Sequence, residues 1–122
     1  MSPIDFVLQW LVAFALTQVV EIGVYTNVPG GRERPLAERL AIAFGASGIT
    51  HPIVWFVIAP LYSPLHVSWW TIVAIAEAFA FGVEAVWLVL FGFRVRTAIL
   101  ASGGANGLSF TIGLFCYEVL GW

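Results

Sequence analysis

Four long apolar runs, separated by short polar segments, account for almost the entire chain. They predict helices at residues 3–25, 36–58, 68–93 and 97–120. A helix rises about 1.5 Å per residue, so about 20 apolar residues are enough to cross the hydrocarbon core of a bilayer. No segment is left for a soluble domain. The sequence therefore predicts a single transmembrane domain over residues 1–122, an all-α membrane protein with four transmembrane helices in an up-down bundle.

Polar residues and prolines mark the ends of the predicted helices. Ser2 can cap the first helix, Pro3 suits its first position, and Asp5 lies at the positive end of its dipole. Pro60 and Pro64 frame the loop that separates the second helix from the third. These signals agree with the boundaries that the apolar runs indicate.

Composition supports a membrane location. Hydrophobic residues make up 61% of the chain and charged residues 10%, against about 45–50% and about 25% in soluble domains. A water-soluble globule is therefore excluded, and the lipid bilayer is the expected partner. The net charge is −2 and the chain has no lysine, so no basic surface for nucleic acid is expected.

All positive charge lies in two of the five segments that flank the predicted helices. Arg32, Arg34 and Arg39 follow the first helix, and Arg94 and Arg96 follow the third. Loops rich in arginine remain in the cytoplasm. The distribution therefore predicts that both arginine loops are cytoplasmic and that both termini lie outside.

Several ionisable side chains fall inside the predicted spans. Each costs about 2.5–3.5 kcal/mol at the centre of a spanning helix and therefore usually faces the bundle interior. Counted from the nearest arginine, Glu84 and Asn106 lie about 15 Å deep and His51 about 18 Å, so these three are expected to meet near the midplane. Glu21, at roughly 8–12 Å, and Glu77, at about 25 Å, would lie below and above them.

Neighbouring positions extend this polar column. Gln18 shares the helix face of Glu21, and Ser47, Thr50 and His51 are expected on one face of the second helix. Pro52 removes one hydrogen bond of the second helix and predicts a bend beside the histidine, which is expected to face the bundle interior. The predicted intramembrane site consists of Glu21, His51, Glu77, Glu84, Asn106 and Ser109.

This pattern of polar residues resembles that of a group of small bacterial four-helix membrane proteins. The matching segments are Glu21-x-x-x-Tyr25, Thr50-His51-Pro52-x-x-Trp55, Glu77, Glu84 and Asn106-x-x-Ser109-x-x-x-Gly113. The resemblance implies a multi-pass protein of the bacterial inner (cytoplasmic) membrane with the polar column as its site, and it brings no activity. Gly23 stands where the group has a proline between its glutamate and tyrosine.

A weaker resemblance is to the membrane-embedded proteases that process prenylated proteins. Those enzymes gather glutamate, histidine and asparagine side chains from separate helices, as this chain is expected to do. The sequence lacks their paired Glu-Glu motif and their second histidine. The resemblance therefore concerns the kind of chemistry only.

Three functions remain open on the sequence. The first is proton or cation handling, in a transporter or channel-like module, because a column of carboxyl groups and a histidine can relay protons across a bilayer. The second is a membrane-embedded metal-dependent enzyme, with His51, Glu84 and Glu21 holding zinc or iron. The third is a structural or accessory subunit of a larger membrane complex. Four helices enclose little volume, so a transport path would form more easily between the protomers of a homo-oligomer.

Overall fold

The computed structural model describes residues 2–121, and these residues are helical apart from short connections. The helices are α1 (Pro3–Tyr25), α2 (Leu36–Ile53), α3 (Trp69–Leu90) and α4 (Val95–Leu120), and α2 continues as a π-helix (Val54–Ile58) and a 3₁₀ turn (Ala59–Tyr62). No strand occurs in this part of the chain. Four helices, α2 with its continuation counted as one, are long and apolar enough to cross a membrane. The predicted all-α class is confirmed for these residues, and the four candidate spans agree with a multi-pass membrane protein.

The start of α1 follows the predicted capping pattern. The Asp5 backbone N–H donates to Ser2 Oγ at 3.1 Å, and the Ser2 backbone N–H donates to Asp5 Oδ2 at 3.0 Å. This reciprocal pair is a capping box, which satisfies backbone donors that the first helical turn leaves free. Pro3 occupies the first turn, where its missing N–H costs nothing.

The boundary between α3 and α4 differs from the prediction. The third helix ends at Leu90 instead of residue 93, and the fourth begins at Val95 instead of residue 97. The cause is a Schellman motif, in which Gly92 has φ +87° and the Phe93 N–H donates to the Leu88 carbonyl at 3.1 Å. The motif ends α3 at Leu90, so α4 can begin at Val95, two residues earlier than predicted.

The second helix changes its hydrogen-bond register after Pro52. The α-helical part stops at Ile53 and the π-helical part begins at Val54, within the helix that the sequence predicts over 36–58 with a bend at Pro52. Proline has no N–H to donate to the carbonyl four residues before it, which is that of Gly48. The chain therefore continues as a helix with a looser winding, and the bend at Pro52 stays a prediction.

The four helices pack around an interior of small side chains. α1 contacts α2 and α4, and α3 contacts the same two helices. The buried apolar residues are dominated by alanine, including Ala43, Ala46, Ala98, Ala101 and Ala105. Large apolar side chains instead cover the outside of the bundle, for example Val19, Phe56, Trp70, Val86 and Leu100. An apolar exterior of this kind indicates a lipid environment, and small interior residues let helix backbones approach closely.

The two arginine-containing segments meet at one end of the bundle. The Arg34 guanidinium donates to the Phe91 carbonyl and lies 5.5 Å from the centre of the Phe93 ring. Arg39 Nη2 donates to the Thr26 carbonyl at 2.5 Å. The loop after α1 is therefore tied both to the end of α1 and to the turn between α3 and α4.

Gly31, in the loop after α1, lies against the end of that helix, and we predict that Gly31→Ala destabilises the fold. A Cβ atom at this buried position would collide with the backbone carbonyl of Tyr25. We expect the free energy of unfolding to fall by roughly 1–3 kcal/mol, as for other overpacked sites. The measurement is thermal unfolding in detergent. Gly23→Ala is the matched control, because a Cβ there meets no atom within 4 Å, and alanine within a helix is favoured by about 1 kcal/mol over glycine.

Candidate functional site

The carboxyl group of Glu84 is the point at which all four helices meet. Glu84 is 1% exposed. Its Oε2 accepts hydrogen bonds from Tyr25 Oη and Asn106 Nδ2, both at 2.7 Å, and its Oε1 accepts one from Thr50 Oγ1 at 2.7 Å. The donors belong to α1, α4 and α2, and the acceptor belongs to α3. Three donors of this kind stabilise a negative charge on the glutamate.

The Thr50 hydroxyl gives Glu84 a second possible protonation state. Thr50 Oγ1 also lies 3.3 Å from the Ala46 carbonyl, within hydrogen-bond distance. A hydroxyl has one hydrogen to donate and two lone pairs that accept. If Glu84 carries a proton on Oε1, that proton can be donated to Thr50 while Thr50 donates to Ala46. The same contacts therefore accommodate the charged and the neutral carboxyl group.

Asn106 is itself held in place by its own helix. Its Nδ2 also donates to the Ser102 carbonyl at 3.0 Å, and Ser102 Oγ donates to the Phe81 carbonyl at 2.8 Å. Ser109 Oγ donates to the Asn106 carbonyl at 3.1 Å. Asn106 therefore contacts Glu84 directly, whereas Ser109 is bonded to the backbone of Asn106.

A second carboxyl group, that of Glu21, is buried near Glu84 in a very different environment. Glu21 is 0% exposed, and among residues 2–121 neither of its oxygens has a hydrogen-bond partner. The Ser47 hydroxyl lies beside it without forming a hydrogen bond of acceptable geometry, and Glu84 is close enough to act on it electrostatically. Both ion pairs of the described residues lie elsewhere, at Arg32–Glu33 and Arg34–Glu38. No side-chain cation is therefore paired with either buried carboxyl group in this part of the chain.

Gln18 lies one turn before Glu21 and presents a further free oxygen. Gln18 Nε2 donates to Ser47 Oγ at 2.7 Å and to the Phe44 carbonyl at 3.3 Å. A carbonyl only accepts, so these contacts fix which end of the amide faces α2. The other end, Gln18 Oε1, is buried and has no partner among the described residues. We call Gln18, Glu21, Tyr25, Ser47, Thr50, Glu84 and Asn106 the polar core.

His51 does not join the polar core. Its ring packs between aromatic side chains, 5.3 Å from the centre of Phe14, 5.9 Å from Trp55 and 6.4 Å from Trp10. Its Nδ1 is buried without a partner among residues 2–121. Successive residues of a helix point about 100° apart, and the preceding residue, Thr50, is the one directed at Glu84. The histidine therefore faces the aromatic side chains of α1 instead of the carboxyl group.

Glu77 lies beside the buried face of α3. That face consists of Ile72, Ala76, Ala80, Glu84 and Leu88, at intervals of four residues. Glu77 is half-buried and lies within electrostatic range of Glu84, and no hydrogen bond links it to another described residue. Residues 2–121 hold no group of three His, Cys, Asp or Glu side chains that could bind a metal ion. The zinc or iron site formed by His51, Glu84 and Glu21 stays a prediction.

Tyr25 is a residue of the site that the polar column predicted from the sequence does not include. It ends α1 as predicted, and its side chain is 1% exposed and donates to Glu84. The available signal was its position four residues after Glu21, which places both on one helix face. From that position the Tyr25 hydroxyl reaches the carboxyl group of Glu84, which belongs to α3.

The chain matches no protein-family model, no curated protein and no solved structure. Function is therefore inferred from the chemistry of the site. That chemistry consists of two buried carboxyl groups: Glu84, held by three donors, and Glu21, which lacks a donor among the described residues.

We predict that Tyr25→Phe destabilises the bundle, because it removes one of the three donors to Glu84. A hydrogen bond to a charged group contributes about 1.5–3 kcal/mol. The measurement is thermal unfolding in detergent, with Tyr117→Phe as the control because Tyr117 is exposed on α4. Equal unfolding midpoints for the two variants would show that the Tyr25 hydroxyl does not support Glu84.

Proposed function

We propose that this protein is a multi-pass protein of the bacterial inner membrane that binds protons or small cations in its polar core and moves them within the bilayer. The observation that supports this most strongly is Glu21. It is fully buried, its two oxygens lack hydrogen-bond partners within residues 2–121, and a second buried carboxyl group lies near it. Its environment is suited to a cation that comes from outside the chain.

The physical reason is the cost of an unbalanced charge in a medium of low dielectric constant. An isolated carboxylate without a donor is expensive to bury unless it is neutralised. A proton or a bound cation neutralises Glu21, whereas Glu84 is stabilised by three donors in its charged form. The pair can therefore take up and release a positive charge without unfolding the bundle.

We further propose an up-down bundle with both arginine segments in the cytoplasm and both termini outside. The contact between Arg34 and the Phe91 carbonyl supports this arrangement, because it brings the first loop and the α3–α4 turn to the same end. The other flanking segments carry no arginine or lysine. The positive-inside rule then gives the direction of insertion.

A continuous path is proposed to form between copies of the chain. The interior of one bundle is filled by alanines and by the polar core, so little space remains for a channel within it. Residues 1–122 act in this proposal as one transmembrane domain that assembles into a homo-oligomer.

A structural role is the second candidate, and one observation favours it. Glu84 accepts a hydrogen bond from each of the other three helices, as a residue that only holds a bundle together would. The two roles differ in what happens when the carboxyl group becomes an amide.

The proposed topology predicts the behaviour of reporters fused after Trp122. We expect alkaline phosphatase, which is active only outside the cytoplasm, to be active there. Green fluorescent protein, which becomes fluorescent only when it folds in the cytoplasm, should be dark at the same position. A fusion after Gly31 should give the opposite result, because that loop carries the arginines. An active cytoplasmic reporter at Trp122 would contradict the proposed orientation.

The proposed function predicts that Glu84→Gln keeps the fold and abolishes proton flux. The new amide can direct its NH₂ at Thr50, which then donates to the Ala46 carbonyl 3.3 Å away, while the amide oxygen keeps the Tyr25 and Asn106 contacts. Glutamine cannot exchange a proton. The measurement combines thermal unfolding with the internal pH of liposomes that contain the purified protein.

Glu118→Gln is the matched control, because Glu118 is an exposed glutamate of α4. It should keep the wild-type flux, and Glu84→Gln should fall to the leak of protein-free liposomes. A Glu84→Gln protein that is stable and fully active would contradict the proposal. A protein with no flux in either form, made more stable by the substitution, would favour the structural role.

A further inference from the structure

We propose that Gln18, Glu21 and Ser47 form a binding site for one dehydrated monovalent metal cation, with sodium as the test ion. The inference rests on the proposed function and deepens it, because it names the cation and separates its ligands from Glu84. The site lies between α1, which carries Gln18 and Glu21, and α2, which carries Ser47.

Three of the buried side-chain atoms without partners are oxygens of α1. They are Glu21 Oε1, Glu21 Oε2 and Gln18 Oε1, each buried and each without a hydrogen-bond partner among residues 2–121. Gln18 is 7% exposed and Glu21 0% exposed. A proton can join at most two of these oxygens, whereas a metal cation can contact several at once. The grouping of free acceptors one helical turn apart therefore favours a cation larger than a proton.

Hydrogen bonds from α2 orient this oxygen set. Gln18 Nε2 is held by Ser47 Oγ and the Phe44 carbonyl at 2.7 and 3.3 Å, which leaves its Oε1 as the free end. Ser47 is itself 0% exposed and lies beside Glu21. Its oxygen retains a lone pair after it accepts from Gln18. One carboxylate, one amide oxygen and one hydroxyl make a set of hard oxygen ligands, which suits an alkali or alkaline-earth cation better than a soft transition metal.

Charge balance favours a single positive charge. Glu21 supplies one negative charge, and the charge of Glu84 is already stabilised by Tyr25, Thr50 and Asn106. Both ion pairs of the described residues lie in the loop after α1 and its continuation into α2, so neither supplies a cation to this site. A monovalent cation neutralises Glu21, the one carboxylate of this oxygen set.

The test is the thermal unfolding of the full-length protein in detergent, in sodium chloride and in choline chloride of equal ionic strength. Choline is too large for the site and controls for ionic strength. A ligand that binds only the folded state raises the unfolding midpoint, here by roughly 5–10 °C at saturating sodium. Glu21→Gln should lose this difference, and Gln18→Leu should reduce it. Gln9→Leu is the matched control, because Gln9 is an exposed residue of the same helix, and it should keep the full difference.

Equal midpoints in sodium and choline for the wild-type protein would overturn the proposal, and water molecules would then be the partners of these oxygens. Stabilisation by magnesium or calcium but not by sodium would overturn it as well. If Glu21→Gln does not fold, Gln18→Leu decides: an undiminished sodium effect in that variant would overturn the site.

The same measurements separate this proposal from the proposed function. Proton flux that depends on Glu84 and needs no sodium, together with equal midpoints, would remove the sodium site and leave the proposed function intact. Sodium stabilisation that depends on Gln18 and Glu21, without any flux, would support the site and contradict the proposed function.

Discussion

The hydrogen bonds to the Glu84 carboxyl group are the interaction on which the rest of the bundle depends. In a bilayer the hydrophobic effect does little to hold one apolar helix against another, so close packing and interhelical hydrogen bonds determine how helices associate. The interior of this bundle is mostly alanine, which allows close approach but specifies little about rotation. Three donors from three different helices that converge on one carboxyl group do specify it. The residue that fixes the rotation of the helices is therefore also the one on which the proposed proton exchange depends.

The second constraint is the contrast between two carboxyl groups in one interior. Glu84 has three donors, and Glu21, which is close enough to interact with it, has none among the described residues. Pairs of ionisable groups with opposed environments are the usual means by which a protein divides the binding and release of a proton between two residues. Gln18 adds a free oxygen on the side of Glu21 only. This asymmetry connects the packing of α1 against α2 with the proposed movement of a cation.

The sequence predicted the features that depend on the length of the helices and on the period of their polar residues. It predicted less well the features that depend on how each helix is rotated about its axis. Apolar length predicted four helices, and Ser2 and Asp5 predicted the start of the first. Depth along the helix axis placed Glu84 and Asn106 at one level, and they are hydrogen-bonded at 2.7 Å. The same arithmetic placed His51 nearby, because depth says nothing of the angle at which a side chain leaves its helix. The role of Tyr25 was missed for the converse reason, since its position at a helix end concealed a side chain that is directed inward.

Infrared difference spectroscopy of the protein in lipid bilayers tests the central claim most directly. The carboxyl C=O bands of Glu21 and Glu84 can be assigned by comparison with the corresponding glutamine variants. If the polar core exchanges cations, these bands respond to the pH of the medium and shift in D₂O while the bundle remains folded. Bands that stay unchanged across the pH range in which the protein is folded, and that do not shift in D₂O, would show two locked carboxyl groups and contradict the account.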